Sequence, residues 1–208
     1  MPGRLFAIIP AAGHSRRMGQ PKLLLPLGSE TVLGRLLAVL RHPDIARTVV
    51  VVRREDTELK AVVEAAGATA IQPAVDPVEM RNSVEIALQF LAEQDRPTDE
   101  DGWILVPGDH PVLDTAAIDS LIRRWQASPC PILIPTFQGR RGHPTFFQGS
   151  LAAEVPRIPA DCGLNWLVRQ HAAEIIEHPV DCPAVLTDLD TPEDYARLLA
   201  MYGGESVG

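Results

Sequence analysis

The chain has 208 residues, with 19 lysines and arginines against 27 aspartates and glutamates, which gives a formal net charge of −8. Its content of 46% hydrophobic and 22% charged residues is that of a globular protein and excludes a disordered chain, a collagen and a coiled coil. The acidity argues against a surface that coats nucleic acid or an anionic membrane. It leaves a nucleotide ligand open, because local charge decides how such a ligand binds.

Apolar runs typical of buried strands alternate with segments of helical periodicity along the chain. The predicted strands are Arg4–Ile9, Thr48–Val52, Ala68–Gln72, Trp103–Val106, Ile132–Pro135 and Thr145–Phe147. The predicted helices are Thr31–Arg41, Thr57–Ala66, Asn82–Glu93, Asp114–Gln126, Leu164–His171 and Thr191–Met201. This alternation predicts a Rossmann-like, three-layer α/β/α fold with a mostly parallel sheet. We expect residues 1–202 to form one domain and 203–208 to form a mobile tail.

The sequence also predicts a cytoplasmic protein. No apolar run approaches the roughly 20 residues that a membrane-spanning helix needs, and the N-terminal stretch does not have the pattern of a signal peptide. The three cysteines, Cys130, Cys162 and Cys182, have neither zinc-ligand nor redox spacing, so we expect them to be reduced.

The segment after the first predicted strand has the composition of a phosphate-binding loop. The small residues Ala11–Gly13 allow backbone N–H groups to approach a ligand, and Arg16, Arg17 and Lys22 add cationic donors suited to phosphate oxygens. The loop is neither a Walker A motif nor a GxGxxG motif. The alternative is an ordinary tight turn with basic residues on the surface.

Carboxylates follow the later strands. Asp109 comes directly after the strand at Trp103–Val106, and Asp188 and Asp190 are expected at a strand end before the last helix. A carboxylate at the carboxyl end of a central strand is placed to hold Mg²⁺ against nucleotide phosphates. A second ligand is needed, and Asp188 or Asp190 could supply it. On an extended segment the two side chains would point the same way. The alternatives are a turn cap at Asp109 and a helix cap at Asp190.

These segments carry a family resemblance. The pattern Ala-Ala-Gly-x-Ser-x-Arg-Met-Gly-x-Pro-Lys at 11–22, Gly-Asp-x-Pro at 108–111 and Asp-x-Asp-Thr-Pro-Glu-Asp at 188–194 resemble the MobA-like nucleotidyltransferases. Among these, the chain is most similar to the molybdenum cofactor cytidylyltransferases. The resemblance implies a fold of the nucleotide-diphospho-sugar transferase type. It also implies that Ala11, Ala12, Gly13 and Gly108 surround the nucleotide, that Arg17 and Lys22 hold its phosphates, and that Asp109 and Asp190 bind Mg²⁺.

The reaction that the resemblance implies is transfer of CMP from CTP to the phosphate of molybdopterin, with release of pyrophosphate. The product would pass to a molybdoenzyme. The choice of CTP rests on Ala12, because relatives that use GTP typically have Gly-Gly where this chain has Ala12-Gly13. The alternatives are a guanylyltransferase acting on the same cofactor, a sugar-1-phosphate nucleotidyltransferase, and a non-catalytic chaperone that carries the cofactor.

The base-binding and acceptor-binding segments match the family less closely. Glu79–Val84 keeps Met80 and Ser83 of the family's Gly-Met-Ser-Ser-Ser, so Ser83 is expected near the nucleotide. An ordinary helix N-terminus is the alternative. Where relatives carry Gly-Asp-x-Gly-Ala-Arg, Asp161 and Gly163 match but Asn165 replaces the arginine, which leaves the acceptor open.

Gly-His-Pro at 142–144 agrees with the family element that faces the acceptor. Arg140, Arg141 and His143 are therefore expected to neutralise an acceptor phosphate, the alternative being an exposed hairpin tip. Residues 1–29 and 129–153 contain basic residues and no acid, which predicts a small cationic cleft in an acidic protein. The other histidines are expected on the surface or in packing roles: His42, His110, His171 and His178.

Overall fold

The computed structural model describes residues 3–15, 17–110 and 114–202. Ten strands are assigned in these segments: β1 (Leu5–Pro10), β2 (Pro26–Leu27), β3 (Glu30–Thr31), β4 (Ile45–Val51), β5 (Thr69–Ile71), β6 (Gly102–Leu105), β7 (Ile132–Phe137), β8 (Arg140–Arg141), β9 (Thr145–Gln148) and β10 (Ile175–Pro179). The α-helices are α1 (Val32–Val39), α2 (Thr57–Ala65), α3 (Met80–Gln94), α4 (Thr115–Ala127), α5 (Asn165–Gln170) and α6 (Pro192–Tyr202).

The central sheet has the strand order β10-β7-β9-β6-β1-β4-β5, with β8 paired to β7, while β2 and β3 form a separate hairpin. β1 lies between β4 and β6 and is parallel to both; Ile8 pairs with Val49 on one side and Leu105 on the other. β9 is antiparallel to β6 and to β7. Because β6 and β7 both run opposite to β9, they run in the same direction. The long strands other than β9 therefore end at one edge of the sheet.

Hydrophobic residues fill both faces of this sheet, as parallel strands covered by helices require. On one face Leu36 of α1, Val63 of α2 and Leu121 of α4 join one buried cluster. On the other face Val84 of α3 and Leu167 of α5 join a second cluster. The fold is thus the three-layer α/β/α arrangement predicted from the sequence.

Local sequence signals agree with most of the predicted elements. Asp114 caps α4 as predicted, since its carboxylate accepts a 2.7 Å hydrogen bond from the N–H of Ala117. Thr31 caps α1 in the same way, accepting from Gly34. At the antiparallel strand, Trp103 of β6 stacks on Phe147 of β9 with ring centroids 4.1 Å apart.

The structure differs from the sequence prediction in several places, of which two change the strands. The expected strand end at Asp188–Asp190 is irregular backbone after a 3₁₀ turn at Pro183–Leu186. The edge strand β10 was not predicted, because only two of its residues are strongly apolar and it ends in proline. Three predictions lie outside the described residues: the phosphate contact of Arg16, the role of Pro111 and the tail at 203–208. No helix in the described part of the chain is long and apolar enough to cross a membrane.

Candidate active site

The loop after β1 is anchored in the core on both sides. Ala11 donates its N–H to the carbonyl of Val51, and Met18 is buried. Between them Ser15 adopts a positive φ of 47°, and its carbonyl accepts hydrogen bonds from the N–H groups of Met18 and Gly19. These contacts fix the described ends of the loop, and Gly13 at its exposed turn has no heavy atom within 4 Å of where a Cβ would stand.

This loop forms one wall of a cavity of about 710 Å³ at the carboxyl edge of the sheet. The volume falls within the range of cofactor and substrate pockets. Its lining includes nine residues predicted from the sequence to bind the nucleotide or metal: Ala11, Ala12, Gly13, Arg17, Lys22, Ser83, Gly108, Asp109 and Asp190. The structure therefore brings together residues that are far apart in the sequence.

Lys22 lies between the two predicted metal carboxylates. Its Nζ is 2.7 Å from Oδ2 of Asp109 and 2.9 Å from Oδ1 of Asp190, and Arg17 contacts the other oxygen of Asp190 at 2.8 Å. Burial disfavours the charged amine, but the carboxylates of Asp109 and Asp190 outweigh that effect and raise the pKa of Lys22. Lys22 is therefore charged at neutral pH.

Asp190 is not needed as a cap for α6. The hydroxyl of Thr191 accepts from the N–H of Asp194, and the Asp194 carboxylate accepts from the N–H groups of Asp190 and Thr191. This reciprocal arrangement begins the helix without the side chain of Asp190. The Asp190 carboxylate is consequently available to face Lys22, Arg17 and the cavity.

The donor set suits a divalent cation such as Mg²⁺. The carboxylates of Asp109 and Asp190 both touch the same ammonium, so the two carboxylates face one point in the cavity. Among the described residues, no group of three or more His, Cys, Asp or Glu side chains could hold a metal ion. One or two carboxylates, completed by phosphate oxygens and water, is the environment in which Mg²⁺ is usually bound.

The start of α3 explains the departures from the family pattern in Glu79–Val84. Ser83 is buried and lines the cavity, as predicted. Asn82 accepts from the N–H of Glu79 and so helps to begin the helix. Arg81 points away from the cavity and donates to the carbonyls of Ile158, Pro159 and Cys162 at 3.0, 2.7 and 3.3 Å.

The three residues predicted to bind the acceptor are not equivalent in the structure. Arg140 is exposed on the β7–β8 hairpin, and Arg141 on the same hairpin pairs with Glu177 at 2.8 Å. The ring of His143 meets that of His110, the residue after Asp109, edge-on with centroids 4.9 Å apart. Burial and then the charge of His110 lower the pKa of His143 to about 4, so at neutral pH it can offer a hydrogen bond but not a positive charge.

Two interactions at the site were missed by the sequence analysis. His110 was expected on the surface or in packing, but it is buried and its Nε2 lies 2.7 Å from Oδ1 of Asp188. Asp188 and Asp190 do not share a partner, because Asp190 faces Lys22 instead. The hydrogen bonds from Arg81 to the loop at Ile158–Cys162 were also not predicted. No local pattern reveals these contacts, since each partner comes from a distant segment.

Comparison with known proteins agrees with this geometry. The family model of the MobA-like NTP transferase domain matches residues 7–175, which is most of the chain. The chain belongs to the MobA-like NTP transferase family. This is the family that the resemblance implied.

Two curated relatives of this MobA-like protein differ in how much they match. A 2-C-methyl-D-erythritol 4-phosphate cytidylyltransferase of Shewanella piezotolerans is 34% identical over 130 residues, covering 61% of this chain and 53% of the relative. The chain thus spans about half the length of that relative. The purine catabolism protein PucB of Bacillus subtilis is 27% identical over 203 residues, covering 92% of this chain and 94% of the relative.

Solved structures share the fold over nearly the whole chain. Rv0371c from Mycobacterium tuberculosis H37Rv is 29% identical, with a TM-score of 0.78 and coverage of 95% of this chain and 98% of that one. A manganese complex of Rv0371c is 27% identical, with a TM-score of 0.74 and coverage of 96% and 100%. A relative of this MobA-like protein thus binds a divalent metal.

Proposed function

We propose that the protein transfers CMP from CTP to the phosphate of molybdopterin and releases pyrophosphate in a Mg²⁺-dependent reaction. The observation that carries the proposal is the convergence of Lys22, Asp109 and Asp190 in one cavity beside the small-residue loop. The preference for CTP rests on Ala12, and a cytidylyltransferase among the curated relatives agrees with it.

In the proposed mechanism, the loop at Ala11–Gly13 surrounds the nucleotide and Ser83 contacts it from the start of α3. Lys22 and Arg17 exchange their carboxylate contacts for phosphate oxygens and stabilise the charge that builds up on the departing pyrophosphate. Asp109 and Asp190 would hold Mg²⁺, and the bound ion would supply positive charge that offsets the charge of the phosphates. Gly108 allows close approach of the ligand to β6.

The acceptor phosphate attacks the α-phosphorus of CTP in line; a new P–O bond forms as the bond to the pyrophosphate oxygen breaks. An acceptor phosphate is already ionised at neutral pH, so the chain needs no general base for this step. Catalysis consists of positioning and charge stabilisation, as in other phosphoryl-type transfers. His143 and the arginines of the β7–β8 hairpin, Arg140 and Arg141, bind the acceptor in this proposal.

A second candidate acceptor is 2-C-methyl-D-erythritol 4-phosphate, which the name of the Shewanella relative supplies. Its reaction has the same donor, CTP, and the same attack by an acceptor phosphate. Only the contacts between the protein and the rest of the acceptor would differ. Asn165, in place of the family's arginine, is the departure that makes this comparison necessary.

Pyrophosphate release tests both proposals. CTP, GTP, UTP and ATP are each combined with Mg²⁺ and with molybdopterin, 2-C-methyl-D-erythritol 4-phosphate or a sugar 1-phosphate. We expect release with CTP and molybdopterin, and its loss in Asp109→Ala while the fold is retained. If GTP were the only donor that supports turnover, or if only an acceptor other than molybdopterin did so, the substrate assignment would be overturned. Full activity of Asp109→Ala would overturn the metal assignment.

A further inference from the structure

Two hydrogen bonds join the Asp109 turn to the Asp190 segment. His110 Nε2 contacts Asp188 Oδ1 at 2.7 Å, and the N–H of Leu189 donates to the carbonyl of Asp109 at 2.9 Å. His110 follows Asp109 directly, and Asp188 precedes Asp190 by two residues. The bonds therefore lie immediately beside the two carboxylates that face Lys22.

The Asp190 segment needs such a restraint because it belongs to no strand or helix. Its carboxylate is held by ion pairs to Lys22 and Arg17. A divalent cation bound by Asp109 and Asp190 would displace Lys22 from between them, and the proposed mechanism transfers Lys22 and Arg17 to phosphate oxygens. The restraints that then remain include the buried side chain of Leu189, its hydrogen bond to Asp109, the cap at Asp194 and the contact between His110 and Asp188.

The contact between His110 and Asp188 joins a buried side chain to an exposed one. The His110 side chain is only 4% exposed, whereas Asp188 is 61% exposed, so a buried ring fixes a carboxylate that solvent would otherwise leave free. The His110 ring also meets the ring of His143 edge-on. Hydrogen bonds around a metal site orient its ligands and tune its affinity, and the contact between His110 and Asp188 would act on the backbone that carries Asp190, two residues away.

We infer that His110 and Asp188 are positioning residues that hold Asp190 against Asp109 and thereby set the affinity of this carboxylate pair for a divalent cation. The inference rests on the proposed function only in taking Asp109 and Asp190 as the cation ligands. It assigns a purpose to His110, which neither the loop motif nor the cavity lining accounts for.

Binding of Mn²⁺ in the absence of substrates, followed by electron paramagnetic resonance, tests the inference without turnover. The variants are His110→Phe, which keeps a ring but loses the hydrogen bond, Asp188→Ala, and the double variant. We expect each single change to weaken Mn²⁺ binding about tenfold, the low end for outer-shell substitutions. The double variant should bind no more weakly than the singles, because all three lack the same contact.

Matched controls come from another histidine–aspartate pair. His42 Nε2 contacts Asp119 Oδ1 at 2.9 Å on a different part of the surface, so His42→Phe and Asp119→Ala should leave Mn²⁺ affinity unchanged. His110→Gln retains an N–H donor and should recover part of the affinity. Unfolding temperatures of all variants separate loss of fold from loss of metal.

Unchanged Mn²⁺ affinity in His110→Phe and Asp188→Ala would overturn the inference, as would losses that multiply in the double variant. These results would leave the proposed function intact if the wild type still released pyrophosphate. Conversely, coupled losses of Mn²⁺ affinity in a protein that turns over no nucleotide and acceptor pair would support the inference and refute the proposed function.

Discussion

Lys22 shows how a single charge can organise a site before any ligand is present. Two carboxylates brought together in a partly buried cavity repel each other, and an ammonium between them offsets this repulsion. The same ammonium lies within the cavity where phosphates are proposed to bind. Lys22 therefore stabilises the folded protein and is available for the substrate, at the cost of breaking contacts that hold Asp190.

Gly142 is the residue at which a single methyl group should disturb the acceptor side. A Cβ built there would lie 2.2 Å from the backbone oxygen of Val185, and no backbone atom can yield as a side chain could. We predict that Gly142→Ala lowers the free energy of unfolding by about 1–3 kcal/mol, the range for overpacked sites. Urea denaturation measures this loss.

Gly163 provides the control for that prediction. No heavy atom lies within 4 Å of its hypothetical Cβ, so Gly163→Ala should change the free energy of unfolding by less than about 0.5 kcal/mol. Equal stability of the two variants would contradict the close approach of the segments at Gly142 and Val185.

At the level of single residues, sequence reasoning works where a residue type and its place after a strand both carry information. Lys22 and Asp109 were selected in that way and Asp190 through the family motif, and Lys22 contacts both carboxylates in the structure; their roles stay predictions. His110 could not be selected, because a histidine has many uses and its partner Asp188 is reached only through the tertiary fold.

Among the elements, helices and central strands were predictable because periodicity reports burial directly. α3 shows the limit of this approach. Its apolar face was predicted, but its first turn begins at Met80, two residues earlier than expected, because Asn82 helps to cap it. Arg81 then joins that turn to the loop at Ile158–Cys162, a tertiary contact that periodicity does not report.

The sheet directions were only partly predictable. β9 is antiparallel because a tight hairpin and a short return connect it to β7, and the sequence does not state which neighbour a short strand will choose. β10 pairs with β7 in parallel at the edge, where fewer apolar residues are needed because one side has no neighbouring strand.

His171 links the end of α5 to the 3₁₀ segment at Gly149–Arg157 and should make stability depend on pH. Hydrogen bonds to Glu154 and Glu174 raise the pKa of His171 above its ordinary value of 6.5. The charged form is favoured in the folded protein, so its stabilisation is complete below about pH 6.5 and is lost as pH rises through the raised pKa.

Thermal unfolding of the wild type and His171→Gln from about pH 5 to pH 9 measures this effect. We predict that the variant is less stable than the wild type at acidic pH and that the difference shrinks towards alkaline pH. A difference that grows with pH would contradict the assigned pairs. His178→Gln is a suitable control, because burial and then Arg124 lower the pKa of His178 and so reverse the sign.

For the whole molecule, the distribution of charge differs in part from the prediction. Arg17 and Lys22 line the cavity as expected. Arg4, counted with them as part of a cationic cleft, instead pairs with Asp101 at the opposite edge of the sheet, and Arg141 pairs with Glu177. The cleft is therefore smaller than the count of basic residues in the two segments predicts.

Ligand binding should stabilise the whole fold, because the cavity draws residues from both ends of the chain. At CTP and Mg²⁺ concentrations about one hundred times the dissociation constant, linkage predicts a gain of about 2.7 kcal/mol. For a chain of this size that corresponds to an increase in unfolding temperature of about 5–10 °C. Differential scanning fluorimetry measures it, and Asp109→Ala should lose most of it. An equal increase in that variant would place the ligand elsewhere.

The β7–β8 hairpin has a consequence for how acceptors could change during evolution. Gln138 and Gly139 form its tip, both with positive φ, and paired strands hold the residues on either side in register. Insertions at such a tip lengthen the hairpin without altering the ladder below it. The proposed nucleotide residues lie across β6 from this hairpin, on other segments. A change of acceptor can therefore arise from changes in one short loop, while the proposed nucleotide-binding residues stay the same.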